Sequence, residues 1–315
     1  MTSHKRPISA VAPRPSLAGR SAHRVIFVTG KGGVGKSAVA AATALQLARN
    51  GQKVLLVELG NRSFYGPLLG LPVDTDPVAW RPGVAVARWD MESSLREYLG
   101  HYLVFKAAAE QVLKNSIMKA LVSAAPSLAE LSLLGRLMAP MRYSWYRRDV
   151  DVVVVDAYAT GQFMAFLRAP RGMADTVSSG PMHTQSKELA ALLSDTTICE
   201  YRLVTLAEEL PISEACELAS DIHAETGIAP GVYCNRMIAL PARLPALPAS
   251  NPAAPFVASL AKVAARQRDG LAALDGLGRH RAGPVRRLPF LPTLDVGPML
   301  EALADALQDD ATLPT

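Results

Sequence analysis

The stretch that most constrains this chain is residues 24 to 37, Arg-Val-Ile-Phe-Val-Thr-Gly-Lys-Gly-Gly-Val-Gly-Lys-Ser. An apolar run, Val25 to Val28, enters a glycine-rich turn, and the turn enters an alanine-rich stretch, Ala38 to Ala48, of helical composition. This order reads as strand, loop, helix. Glycines at 30, 32, 33 and 35 keep side chains out of the loop, so successive backbone N–H groups can converge on phosphate oxygens at the helix N-terminus. Gly30, Gly35, Lys36 and Ser37 fit the spacing G-x-x-x-x-G-K-[ST], in which the lysine bridges terminal phosphates and the hydroxyl holds magnesium. The expected cradle is Gly30, Lys31, Gly32, Gly33, Val34, Gly35, Lys36, Ser37 and Ala38, with ATP and Mg2+ as its ligands. The fold expected around such a unit is α/β: a doubly wound, mostly parallel sheet with the nucleotide at the strand carboxyl ends.

One further residue narrows the reading. Lys31 follows the first glycine and completes Lys-Gly-Gly-Val-Gly-Lys-Ser, a deviant phosphate loop. In this it resembles the P-loop ATPases of the ArsA, MinD and ParA superfamily, a group that also holds the guided-entry ATPase for tail-anchored proteins. The resemblance implies that ATP closes a dimer and that Lys31 reaches in trans to the partner's nucleotide. It runs over roughly residues 24 to 310 and extends through Phe166-Leu167-Arg168-Ala169-Pro170 and Leu203 to Pro211, which look like the bacterial single-loop ArsA-related proteins. No internal repeat is visible, so the tandem, two-loop form is excluded.

Val54 to Val57 forms a second buried strand ending in Glu58, followed by the loop Leu59-Gly60-Asn61-Arg62-Ser63. In the family this strand end is the first switch, and an aspartate two positions beyond Glu58 orients the attacking water. Here that position is Gly60, which has no side chain to orient water or stabilise charge. Glu58 is the expected substitute, joining Lys31 and Lys36 as candidate catalytic residues; movement of the loop could instead bring Asp74 or Asp76 near.

Val150 to Asp156 is a β-branched run suited to a central parallel strand, and it places Asp156 at the carboxyl end beside the phosphate loop, where it would serve magnesium together with Ser37. Residues 156 to 162, Asp-Ala-Tyr-Ala-Thr-Gly-Gln, resemble the family's second switch, matching at Thr160 and Gly161 and departing at Tyr158, Ala159 and Gln162. Gly231 to Asn235 reads as a short strand. Asn235-Arg236 matches the family's adenine-reading asparagine, whose amide carries both donor and acceptor, although an asparagine ending a strand in a turn fits the same residues. Val285 to Leu294, including Pro289, resembles the loop lying against adenine in relatives.

The remainder divides by composition. Residues 1 to 23 form a basic tail expected to be disordered, and 24 to 315 a single ATPase domain with a helical insertion around 93 to 145. That apolar insertion, with Met118, Met138 and Met141, either packs on the parent sheet or offers a client groove. Val84 to Trp89 reads as an edge strand, 241 to 255 with five prolines as a crossover, and Gly297 to Leu307 as a last amphipathic helix. Arg279, Arg281, Arg286 and Arg287 form a basic rim. The formal charge of +5 is carried by Lys5, Arg6, Arg14, Arg20 and Arg24; without them 28 Lys and Arg face 28 Asp and Glu, so a basic nucleic-acid face is not encoded. Cys199, Cys216 and Cys234 lack C-x-x-C spacing and read as buried thiols, with an arsenite-binding cysteine site as the alternative. No segment has the length of a transmembrane helix or signal peptide, so a cytoplasmic protein is expected.

Two classes of function follow from these residues. One is an ATPase whose hydrolysis resets a dimeric switch and releases a client or pump partner. The other is a nucleotide-gated scaffold that binds ATP and hydrolyses little. A heterodimer with a paralogue joins them, because Lys31 is kept while the aspartate is gone.

Overall fold

Val25 to Val28 is fully buried, and this fixes β1 (Arg24–Gly30) in the interior of an eight-stranded sheet. The computed structural model describes residues 24–102, 126–139, 150–238, 240, 247–248, 250–276, 282–283 and 285–308. The other strands are β2 (Val54–Leu59), β3 (Val78–Arg81), β4 (Val84–Trp89), β5 (Val152–Ala159), β6 (Cys199–Leu206), β7 (Gly231–Met237) and β8 (Val285–Pro289). Their order is β3-β4-β2-β5-β1-β6-β7-β8, and every pair is parallel except β3 with β4.

The helices are α1 (Lys36–Arg49), α2 (Tyr65–Leu69), α3 (Met91–Tyr102), α4 (Pro126–Leu137), α5 (Thr160–Thr176), α6 (Pro181–Leu193), α7 (Glu209–Thr226), α8 (Ala254–Asp275) and α9 (Val296–Gln308). Successive strand residues point to opposite faces, so β1 feeds two cores. Ile26 and Val28 pack with α1 and α9 through Ala41, Leu45, Leu303 and Leu307. Val25 and Phe27 pack with α4 to α7 through Leu134, Phe163, Leu189 and Ile222. Phe27 stacks on Tyr201 with ring centroids 5.5 Å apart. The sheet is therefore covered on both sides, which is why β5 is a continuous Val run rather than an alternating one.

The structure departs from the sequence reading in three elements. Val84 to Trp89 is not an edge: the turn Pro82-Gly83 folds β3 back on β4, and β3 takes the edge instead. Val285 to Pro289 is a strand rather than a loop, pairing with β7 at the opposite edge, where a terminal proline leaves no interior ladder bond unmade. β5 runs on to Ala159, three residues beyond Asp156. Within the expected helical insertion, α4 buries Leu133, Leu134 and Leu137, with Met138 just after it, in the sheet's own core, and Leu95 of α3 forms a small cluster with Ala129 of α4. The tail, residues 103–125 and 140–149 with Met118 and Met141, residues 241–246 and 249 of the 241–255 crossover, and Arg279 and Arg281 lie outside the described residues. Cys199 and Cys234 are buried, with burial pushing both thiols up to about 12, whereas Cys216 is half-exposed rather than buried. Among the described residues no helix is long and apolar enough to cross a membrane.

Candidate functional site

The loop between β1 and α1 passes over the carboxyl ends of β5 and β6, the neighbours of β1 in the sheet. Gly35 enters α1 with φ of 96°, and a Cβ there would lie 2.4 Å from the Asn235 amide nitrogen, so both backbone and packing require glycine. α1 has no side-chain cap and no acid in its first turn. Val39 donates the first backbone hydrogen bond of that helix, to the Gly35 carbonyl (3.1 Å), which leaves the N–H groups of Lys36, Ser37 and Ala38 facing the loop concavity. Positions 32 and 33 have open space where a side chain would project. An anion fits this cradle: amide donors and the positive end of the helix dipole converge at a first turn that carries no acid of its own.

Lys36 folds back to donate from Nζ to the Lys31 carbonyl, 3.0 Å away, bracing the loop from inside. Burial lowers its pKa, opposed by the nearby Asp156. Asp156 is 7% exposed, and burial pushes its carboxyl up to about 6 even though Ser37, Tyr65 and Lys36 favour the charged form. A buried acid of this kind, lying against a serine hydroxyl with one half-buried lysine for company, suits a divalent cation. Ser37 and Asp156 are the residues that would hold magnesium, which when bound supplies positive charge to phosphate oxygens.

Glu58 sits at the end of β2, buried, with its carboxylate turned onto the following loop. It accepts Ser63 Oγ (2.9 Å), the Phe64 N–H and, at 3.4 Å, the Tyr65 N–H. Its oxygens thus order residues 63 to 65. Gly60 has φ of 149°, a region that disfavours other residues, and open space beside its Cα. Its N–H donates to the Trp89 carbonyl (3.0 Å), and its carbonyl accepts from Arg88 (3.1 Å). Arg88 also holds Asp74 at 2.7 Å, so that acid is directed to Arg88.

Lys31 reaches Glu214 of α7 within its own chain, Nζ to Oε1 2.6 Å. Asn235 is brought under the phosphate loop: Nδ2 donates to the Val34 carbonyl (2.9 Å), and Oδ1 accepts the N–H of Arg236, which has φ of 57°. Pro289 ends β8 opposite Met237, two residues beyond Asn235. Thr160 and Gly161 open α5 directly after β5. Sequence reasoning passed over Tyr65 and Arg88, neither of which stands in a motif; only their spacing from the strand ends could have drawn attention to them.

A protein-family model, the anion-transporting ATPase, matches residues 23–181, from β1 through the start of α6. The chain belongs to that family. Among its relatives is the ATPase BagA of Mycobacterium tuberculosis, 33% identical over 211 residues covering 63% of this chain and 61% of BagA. The arsenical pump-driving ATPase of Acidiphilium multivorum is 28% identical over 159 residues, covering 50% of this chain and 27% of that protein. A protein of Escherichia coli with the same name is 25% identical over 159 residues, covering 50% and 27%. The chain thus spans about three fifths of the length of BagA and about a quarter of the pump-driving proteins. Residues 30–37, Glu58 and Asp156 all lie within the matched segment.

Proposed function

We propose that this chain binds ATP with magnesium and uses it as a nucleotide-driven switch that pairs two subunits and engages a client or partner protein. The observation that carries this is the pairing of an uncapped helix N-terminus, with no acid in its own first turn, with a half-buried Lys36 and a buried Asp156. In this reading the amides of residues 31 to 38 hold the phosphate oxygens, and Lys36 leaves the Lys31 carbonyl for the terminal phosphates. Ser37 and Asp156 hold the cation, while Asn235 and Pro289 lie toward the base.

Pairing of subunits is supported by where apolar surface is exposed. Phe64, Leu210, Phe290 and Leu294 follow the carboxyl ends of β2, β6 and β8. Phe256 and Val263 lie in the first half of α8, ahead of Gln267, whose side chain is anchored to Arg236 in β7 and to Ile238 just past it. Four of the six large hydrophobics exposed among the described residues therefore follow strand ends on the side of the sheet that bears the phosphate loop. A surface so one-sided suits an interface. Lys31 is a deviant-loop lysine at that edge, held on Glu214 in the isolated chain and available to a partner's nucleotide when the ion pair opens.

A second reading, a scaffold that binds ATP with little turnover, is favoured by one observation: the Glu58 oxygens are engaged with residues 63 to 65 and Gly60 offers no carboxylate. It includes the heterodimer in which this chain serves a paralogue's site. Both readings require the phosphate loop, so the first test is nucleotide binding and turnover with magnesium for the wild type and Lys36→Ala. The expected result is micromolar ATP binding that Lys36→Ala weakens at least tenfold, about 1.4 kcal/mol, with turnover separating switch from scaffold. Equal binding by both proteins contradicts both.

A further inference from the structure

Tyr65 belongs to no phosphate-loop motif, yet it is the side chain that joins the two halves of the candidate site. It stands at the start of the short α2, with its ring fully buried among the apolar residues under α1. Its hydroxyl donates to the Ser37 carbonyl (2.8 Å) and lies beside the Asp156 carboxylate. It therefore touches both residues that would hold the cation. At its other end the backbone is tied to Glu58: the N–H groups of Phe64 and Tyr65 donate to that carboxylate, as does Ser63 Oγ, which in turn accepts the Gly66 N–H (2.8 Å). One rigid residue thus connects the end of β2 and the 60–64 loop to Ser37 and Asp156.

The chemistry of a phenol suits this place. A phenol is neutral near pH 7 and adds no charge beside a cation. Its single proton faces two acceptors, the Ser37 carbonyl and the Asp156 carboxylate. A cation that takes up lone pairs of Asp156 changes which acceptor is open to that proton. The ring cannot shift alone within a packed core, so any adjustment is passed to α2 and the loop ahead of it.

We propose that Tyr65 is a positioning residue that orients Ser37 and Asp156 for a divalent cation and couples occupancy of that site, through α2 and Glu58, to the order of the 60–64 loop. This rests on the reading of Ser37 and Asp156 as the cation-holding pair.

The test is Tyr65→Phe, which keeps the ring and removes only the hydroxyl, compared with Asp156→Asn and wild type. Two quantities are read: the magnesium midpoint for ATP binding, and the rate of tryptic cleavage after the exposed Arg62. Tyr65→Phe is expected to raise the magnesium midpoint about tenfold, while ATP binding in EDTA, which does not use the pair, changes less than about twofold. In wild type, ATP with magnesium should slow cleavage after Arg62 relative to ATP with EDTA, and Tyr65→Phe should lose that difference at saturating magnesium. If Asp156→Asn leaves the midpoint unmoved, the cation-site reading fails. If Asp156→Asn moves it and Tyr65→Phe does not, the cation-site reading stands and the role of Tyr65 is overturned. Should Tyr65→Phe fail to fold, the wild-type comparison decides alone: equal cleavage with magnesium and with EDTA overturns the coupling.

Discussion

Asp156 is a buried acid whose carboxyl titrates near 6 in the folded chain, against 3.8 for a free aspartate. A raised acid pKa means that folding takes up a proton between those two values. Stability of the ligand-free chain therefore falls as pH rises through that window, and the cost of the charged carboxylate is fully present above pH 6. At about 1.4 kcal/mol per tenfold change in proton affinity, that cost is on the order of 3 kcal/mol. Asp156→Asn removes it. Thermal melts without nucleotide should show the variant more stable than wild type at pH 8, by several degrees, with the gap closing as pH falls and gone below about pH 4. A gap that widens toward acid would mean that Asp156 is stabilised, not penalised, by its surroundings. Lys36 and Glu58 carry a related lesson. Both side chains are held by their own chain, Lys36 on the Lys31 carbonyl and Glu58 on the loop it follows, so ligand binding exchanges existing partners rather than filling empty ones.

At the scale of elements, α1 and α9 pack along each other and are joined in two ways. Arg49 pairs with Glu301 and, at 2.6 Å, with Asp305 on the solvent side, while Leu303 and Leu307 are buried beneath. Exposed ion pairs contribute little after desolvation and screening, whereas a buried leucine leaves a cavity when truncated. Chemical denaturation should find Leu303→Ala destabilised by about 2–5 kcal/mol and Arg49→Ala by less than about 1 kcal/mol. The reverse order would place the helix contact in charge rather than packing. The same contrast explains what the sequence made legible. β1, α1, β2 and β5 could be read because burial on both faces, or a phosphate loop, leaves a local signature. β3 could not: it has only four residues, alternates half-buried with exposed, and sits between prolines. α2 is five residues containing Gly66 and Pro67, and β8 carries two arginines and ends in proline, so each reads as loop until its neighbours are known. Tyr65 was hidden for the same reason, because its importance lies in a contact between residues 28 and 91 positions apart along the chain, to Ser37 and Asp156. Asn235 was legible as a strand-end amide, but its bond to the Val34 carbonyl was not.

For the whole molecule, the phosphate loop, the Lys31–Glu214 pair and the exposed Phe64, Leu210, Phe290 and Leu294 all follow the carboxyl ends of strands. Chemistry and apolar exposure share a face, so nucleotide binding and association should be linked, each strengthening the other by the same factor. The most direct test is the solution mass of the purified chain by light scattering, at fixed protein concentration, without nucleotide and with saturating ATP and magnesium. The expected result is a mass that doubles with ATP in wild type and stays that of the single chain in Lys36→Ala. A wild-type mass that does not change at saturating ATP, with a paralogous subunit present or absent, would contradict the nucleotide-driven pairing on which the proposed switch depends.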